Sequence, residues 1–187
     1  MNKISTNLQD CYILEPARFG DARGYFSAPY IESEYRALGF QGLKQVSRSK
    51  SAKGVLRGMH FQKNEYAQAK IVEAVQGAVI DVVVDLRKSS SSYGKWTSVL
   101  LTPENGRQLY VPRGFAHGFL SLKDDTVFQY FVDNAYAPEQ EGGIAWDDPT
   151  VGVDWQSFFD EYDISHPELS SKDTKYGGLA DFEKEQA

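Results

Sequence analysis

The chain has a single cysteine, Cys11, so an intrachain disulfide is excluded and a reducing compartment is the fitting one. No apolar run approaches the roughly 20 residues that a membrane-spanning helix needs. The first residues, "MNKISTNLQDCYILEP", hold no apolar stretch of signal-peptide length. The expected location is the cytoplasm, without membrane association. Cations are in deficit: 20 Lys and Arg against 26 Asp and Glu give a net charge of −6. That balance argues against nucleic acid as a partner. A small anionic ligand stays open, because it needs only a local cluster of cations. No Gly-rich loop of the P-loop or Rossmann kind occurs, so phosphate recognition would rest on side chains. Repeats, low-complexity tracts and linkers are also missing, and 187 residues suit one domain spanning 1–187 with a substantial core.

What the chain does have is apolar and aromatic content, 41% and 13%, typical of a packed globular protein. The middle reads as successive strands. "AKIVEAVQGAVIDVVVDLR" (69–87) is rich in β-branched residues, with Gly77 splitting two runs. "WTSVLLT" and "RQLYVP" follow, separated by the turn "PENG"; "GFAHGFLSL" and "TVFQYFV" are separated by "KDD". "NLQDCYILEP" and "GYFSAPY" supply strands near the start. The best helix signal is "ESEYRALG", Glu32 to Gly39, with acids early and a glycine to end it. Many short strands and few helices predict an antiparallel β-barrel or jelly roll.

Several strands carry polar residues where a core is expected. "GVLRGMHFQ" places Arg57, His60 and Gln62 in one apolar strand, and "FAHGF" places His117 in another. One such histidine reads as a hydrogen-bonded core residue, since an unpaired buried imidazole costs about 1–3 kcal/mol. Two of them, with Lys70, Asp81, Asp85 and Tyr130 on neighbouring strands, point to a ligand or a reaction. Metal catalysis lacks ligands: Phe61 and Gln62 follow His60, and the third histidine, His166, lies in a polar stretch. Proton transfer beside a carbonyl fits better. It asks for a histidine base, a carboxylate to fix its tautomer (Asp173 or Asp81), a phenol as acid (Tyr130) and a cation for the enolate (Lys70). Arg23 and Arg57 each precede glycine, and arginine is suited to bidentate diphosphate binding.

The segments "FGDARGYF", "GVLRGMHFQ", "AQAKIVEAVQGAVIDVVVDLRKSSSSYGKW", "RQLYVPRGFAHGF", "EGGIAWDDPTVGVDW" and "PELSSKD" resemble, in order, the dTDP-4-dehydrorhamnose 3,5-epimerase family. The resemblance implies an all-β, jelly-roll (cupin-type) barrel with a few short peripheral helices, acting as a homodimer without cofactor or metal. It implies epimerisation at C3 and C5 of dTDP-4-dehydro-6-deoxy-glucose. On the family pattern His60 falls at the base, Asp173 at its carboxylate partner, Tyr130 at the acid and Lys70 near the sugar and phosphate. His117 falls at a second active-site histidine, and Arg23, Gln45 and Arg57 at diphosphate contacts. Tyr136 falls at the aromatic that stacks on thymine, and Phe26, Ser47, Glu141 and Lys172 at further substrate contacts. Ser47 stands where the family usually has asparagine, Ala28 where it often has glutamate, and "WQSFFDEYDISHPELS" replaces a shorter segment. On the same scaffold a C3-only epimerase, a ketoisomerase or a non-catalytic sugar-nucleotide-binding barrel are the rival expectations.

Overall fold

The computed structural model describes residues 1–185. In chain order it contains β1 (Asn2–Ser5), β2 (Tyr12–Glu15), β3 (Arg18–Asp21), β4 (Gly24–Ser27), α1 (Glu32–Arg36), β5 (Gln45–Ser51), β6 (Leu56–Gln62), β7 (Lys70–Gln76) and β8 (Val79–Asp85). Then come β9 (Trp96–Leu101), β10 (Gln108–Val111), β11 (Phe115–Ser121), β12 (Thr126–Val132), β13 (Glu141–Gly143), α2 (Trp155–Glu161) and α3 (Leu179–Glu185). Six strands form one sheet in the order β1-β2-β10-β7-β12-β5, five form another in the order β13-β6-β11-β8-β9, and β3–β4 is a separate hairpin. Every strand pairing is antiparallel. This is the expected jelly-roll arrangement, two antiparallel sheets face to face.

Side-chain alternation explains the layers. In β8, Val79 and Val83 pack between the sheets with Val72, Leu101, Leu109, Phe119 and Phe128. Ile80, Val82 and Val84 point the other way and are covered by Ile144, Trp155, Phe159, Ile164 and Leu179 of the C-terminal segment. The strand is therefore buried on both faces, which is why "AVIDVVVD" reads as a nearly unbroken apolar run. On the outside of the six-stranded sheet, Leu14, Ile71, Tyr110 and Phe131 are covered by Tyr35 and Phe40.

One local feature departs from the sequence reading, and a second lies where it assigned no element. The helix expected over Glu32 to Gly39 stops at Arg36. Tyr35 and Phe40, both 1% exposed, would lie on the order of 140° apart around a helix of 3.6 residues per turn. Unwinding through Gly39, whose φ is +100°, lets both reach the sheet. The long segment after Val153 folds as α2, started by Asp154, whose Oδ1 accepts from the Ser157 amide at 3.2 Å. Trp155 and Phe159, one turn apart, bury its inner face against the five-stranded sheet.

The decisive irregularity is in β6. Leu56 pairs with Leu120, Arg57 with Phe119 and His60 with His117, so three steps on β6 oppose two on β11. One extra residue changes the facing. Arg57 and His60, three apart, would point to opposite sides of a regular strand, and the bulge turns both inward. Gly58 makes this possible: its φ is +136°, and a Cβ there would stand 2.6 Å from the Gly118 Cα. Gly118 is as constrained, with a Cβ falling 2.7 Å from the Arg57 carbonyl. Gly58→Ala is expected to destabilise the fold by about 2–5 kcal/mol, combining backbone strain and overpacking. Urea unfolding measures this, and an alanine variant as stable as the parent would remove the glycine pair as the cause of the bulge.

Candidate active site

The space between the sheets has two characters. One end is filled by the apolar residues above. At the other, β5 contributes Gln45, Ser47 and Ser49, β6 contributes Arg57, His60 and Gln62, β7 Lys70, β11 His117 and β12 Tyr130. Two cavities open there. One of about 300 Å³ is lined by Gln45, Ser47, His60, Gln62, Lys70, Tyr130, Tyr136 and Glu141. The other, about 260 Å³, is lined by Ser49, Arg57, His60, Lys70, His117, Tyr130, Lys172 and Asp173. They share His60, Lys70 and Tyr130.

His60 Nε2 lies 2.5 Å from Asp173 Oδ1. Asp173, 3% exposed, comes from a short turn 113 residues further along the chain. Burial by itself would raise its pKa. Hydrogen bonds from His60 and from Ser170, whose Oγ donates to Oδ2 at 2.8 Å, outweigh that and hold the carboxyl below its usual range. An ionised carboxylate only accepts, so Nε2 carries a proton, and in the neutral imidazole the lone pair is then on Nδ1. Nδ1 makes no hydrogen bond among the described residues, and is the nitrogen able to act as a base.

Of the two carboxylates the sequence offered as orienter, Asp173 serves His60 and Asp81 serves His117. His117 Nε2 is 2.7 Å from Asp81 Oδ1. Both are buried, which pushes His117 down and Asp81 up, each partly offset by the other. His117 is thereby held neutral beside the cavity. Asp81 Oδ2 has no hydrogen-bond partner among the described residues.

Tyr130 faces the histidines from the opposite sheet. Its hydroxyl is 3.4 Å from Ser49 Oγ, and burial pushes its pKa up, so it stays a protonated phenol. Lys70 is partly covered by the core; desolvation lowers its pKa to about 8, against an upward pull from Asp81 and Glu141. Arg57 stands at the mouth, its Nε donating to Ser51 Oγ at 3.2 Å. Its Nη2 donates to the Lys50 carbonyl at 3.4 Å, and the exposed guanidinium keeps further N–H groups suited to an anion.

The rim is one network. Gln45 Nε2 donates to Ser47 Oγ at 2.8 Å, and Gln45 Oε1 accepts from the Tyr136 amide at 3.2 Å. The Tyr136 hydroxyl donates to Glu141 at 2.8 Å, and Glu141 also accepts from Lys172 and Tyr176. Several residues singled out in the sequence stand apart. Asp85 lines neither cavity and accepts instead from Arg87, Ser90 and Ser92. Arg23 and Phe26 lie on the β3–β4 hairpin, exposed, and line neither cavity of this chain; Arg23 is paired with Asp21 at 2.5 Å. His166 sits in a separate surface cleft. The sequence reading passes over Ser49, which alternation with Ser47 and Ser51 in "SRSKS" could have flagged. It also passes over Ser170 and Tyr176, for which no local pattern exists.

The family model described as dTDP-4-dehydrorhamnose 3,5-epimerase matches residues 5–181. The chain is 49% identical over 157 residues to the dTDP-4-dehydrorhamnose 3,5-epimerase of Escherichia coli K12, covering 83% of this chain and 85% of that protein. The crystal structure of the Elizabethkingia anophelis enzyme of the same name superposes with a TM-score of 0.89 at 43% identity, covering 97% of each chain. The dTDP-6-deoxy-D-glucose-3,5-epimerase of Legionella pneumophila, solved in complex with dTDP-4-keto-L-rhamnose, gives a TM-score of 0.86 at 37% identity over 96% of this chain and 93% of that one. The matched span encloses the hairpin, both histidine–aspartate pairs and the rim, and the chain belongs to the dTDP-4-dehydrorhamnose 3,5-epimerase family.

Proposed function

We propose that the protein converts dTDP-4-dehydro-6-deoxy-glucose to dTDP-4-dehydro-rhamnose by inverting C3 and C5 through enolate intermediates. One observation supports the mechanism: His60, bonded to Asp173, and Tyr130 line the same two cavities from opposite sheets, with Lys70 lining both. A sugar ring between them presents one face to the base and the other to the acid. His60 Nδ1 takes the proton from the carbon beside the C4 ketone, and the C–H electron pair moves onto the ketone oxygen. The Lys70 ammonium offsets the oxyanion charge. Tyr130 then gives its proton to the same carbon from the other face, which inverts it, and exchange with solvent restores both groups. The steps move protons only and ask for no redox cofactor.

Arg57 at the mouth and Lys172 at the rim suit the diphosphate, and Tyr136, 52% exposed, suits stacking on the thymine. A binding-only role would not explain a base facing an acid. Arg23 and Phe26 enter through a homodimer in this reading. Their hairpin exposes Phe19, Tyr25 and Phe26, an apolar surface that a second copy would cover while carrying these residues to its own neighbour's cavity. Among the described residues no helix is long and apolar enough to cross a membrane. With a nucleotide-sugar substrate and an acidic surface, this supports a cytoplasmic enzyme that does not bind nucleic acid.

Incubation with the substrate in D2O, read by NMR and mass spectrometry, is expected to place deuterium at C3 and C5. Deuterium at C3 alone would narrow the activity to a mono-epimerase, and none would refute the reading. His60→Ala is expected to slow the exchange about 10²–10⁴-fold, the usual contribution of a general base. Tyr130→Phe is expected to incorporate deuterium with retained configuration, since abstraction survives and delivery to the far face does not. The Lys70 ammonium is present below its pKa and lost above it, so kcat/KM is expected to fall as pH rises through about 8. Lys70→Met should be slower and lack that alkaline limb; a limb that persists in the variant would assign it to another group.

A further inference from the structure

β13 pairs with β6 so that Gly143 lies directly opposite His60. Gly143 is not among the glycines with positive φ, so its backbone does not ask for glycine. What excludes a side chain is Tyr176: a Cβ on Gly143 would stand 2.7 Å from three atoms of the Tyr176 ring. The same ring meets the His60 imidazole edge-on, with centroids 5.6 Å apart and planes at 65°. Tyr176 ends the short turn that begins with Asp173. The next residue, Gly177, is tied back to the chain just after β13, its carbonyl accepting from the Ala145 amide at 2.8 Å. The Tyr176 hydroxyl donates to Glu141 Oε1 at 3.2 Å. Yet Tyr176 lines neither cavity, whereas Glu141 and Lys172 do.

We propose that Tyr176 is a positioning residue for the base: its ring, seated on Gly143 and against His60, sets the distance between the imidazole and the Asp173 carboxylate. The inference rests on the proton-transfer reading above. Asp173 is carried by a segment outside both sheets, so its approach to a strand residue needs a fixed spacer. The ring supplies one, because it touches the imidazole on one side and the strand backbone on the other. Gly143 and Tyr176 are a matched pair, the glycine leaving the volume that the ring fills. The hydroxyl is secondary, since Glu141 also holds Lys172 and Tyr136.

The test compares Tyr176→Phe, Tyr176→Ala, Gly143→Ala and the Gly143→Ala/Tyr176→Ala double variant. Steady-state epimerisation and the downfield proton resonance of the His60 Nε2–H are followed in 15N-histidine-labelled protein, the resonance assigned by its absence in His60→Asn. Tyr176→Ala is expected to lower kcat about 10- to 100-fold, the usual cost of misplacing a reacting group by about 1 Å. KM should stay within about threefold, and the His60 resonance should be lost to solvent exchange. Tyr176→Phe is expected to restore both. Gly143→Ala should reproduce the loss by displacing the ring, and should add nothing once the ring is gone, a non-additivity that marks the two as one unit. A Tyr176→Ala variant that raises KM while keeping kcat, or that keeps the resonance, would overturn the proposal. So would a full further loss in the double variant. The resonance needs no substrate, so wild-type protein that failed to epimerise would refute the proton-transfer reading while the ring's effect on His60 was still decided. Should Tyr176→Ala not fold, Gly143→Ala, with the ring present but displaced, decides the question by the same two readouts.

Discussion

The approach of two backbones, Gly58 on β6 and Gly118 on β11, underlies the polar half of the space between the sheets. A regular β6 would give either Arg57 or His60 to the interior and send the other to the apolar outer layer beside Met59. The bulge brings both inward while Leu56 and Met59 still pack outward with Ile144 and Leu120. The contact leaves no room for a Cβ on either glycine, so the arrangement depends on steric permission more than on attraction. Both glycines lie near His60 and His117 in the sequence, in "RGMH" and "AHG".

Placing so many polar groups between two sheets is costly unless each has a partner. The protein meets this by pairing. His60 and His117 each have an aspartate, Gln62 bridges the Tyr66 and Ala135 carbonyls and the Ala137 amide, and the β5 serines and Gln45 bond one another or their neighbours. The pairing also has chemical consequences. Asp173 leaves His60 with a lone pair on Nδ1, burial keeps Tyr130 protonated, and desolvation brings the Lys70 pKa into a range where its charge responds to mild alkali. The same burial that threatens stability places an imidazole, a protonated phenol and a titrating ammonium in one space.

The C-terminal third shows how a segment outside the sheets takes part. α2 and Ile164 close the outer face of the five-stranded sheet, and the chain then returns to β6, where the Leu56 amide donates to the Glu168 carbonyl at 3.0 Å. From that anchor the following residues deliver Asp173 to His60. The "WQSFFDEYDISHPELS" segment is taken up in a helix and a turn on the outside of the sandwich, and Asp173 follows it to His60.

By itself the sequence determined the central strands, because β-branched runs broken by Gly77, "PENG" and "KDD" mark them, whereas β1, β3, β5 and β13 carry no such run and show only in the structure; it also marked His60, His117, Tyr130 and Lys70, because ionisable residues in apolar strands demand an explanation. The tertiary structure decided their relations. On the residues alone Asp173 and Asp81 are equal candidates to orient His60; the family resemblance names Asp173, and the convergence of two sheets with a distant turn brings it there across 113 residues and gives Asp81 to His117. That Arg57 and His60 share a face depends on a bulge that shows only when β6 is laid against β11. The place of Tyr176 against Gly143 and His60 was equally hidden, since no pattern in the sequence singles it out. Its meaning comes from the glycine it covers and the imidazole it touches, and packing alone brings those together.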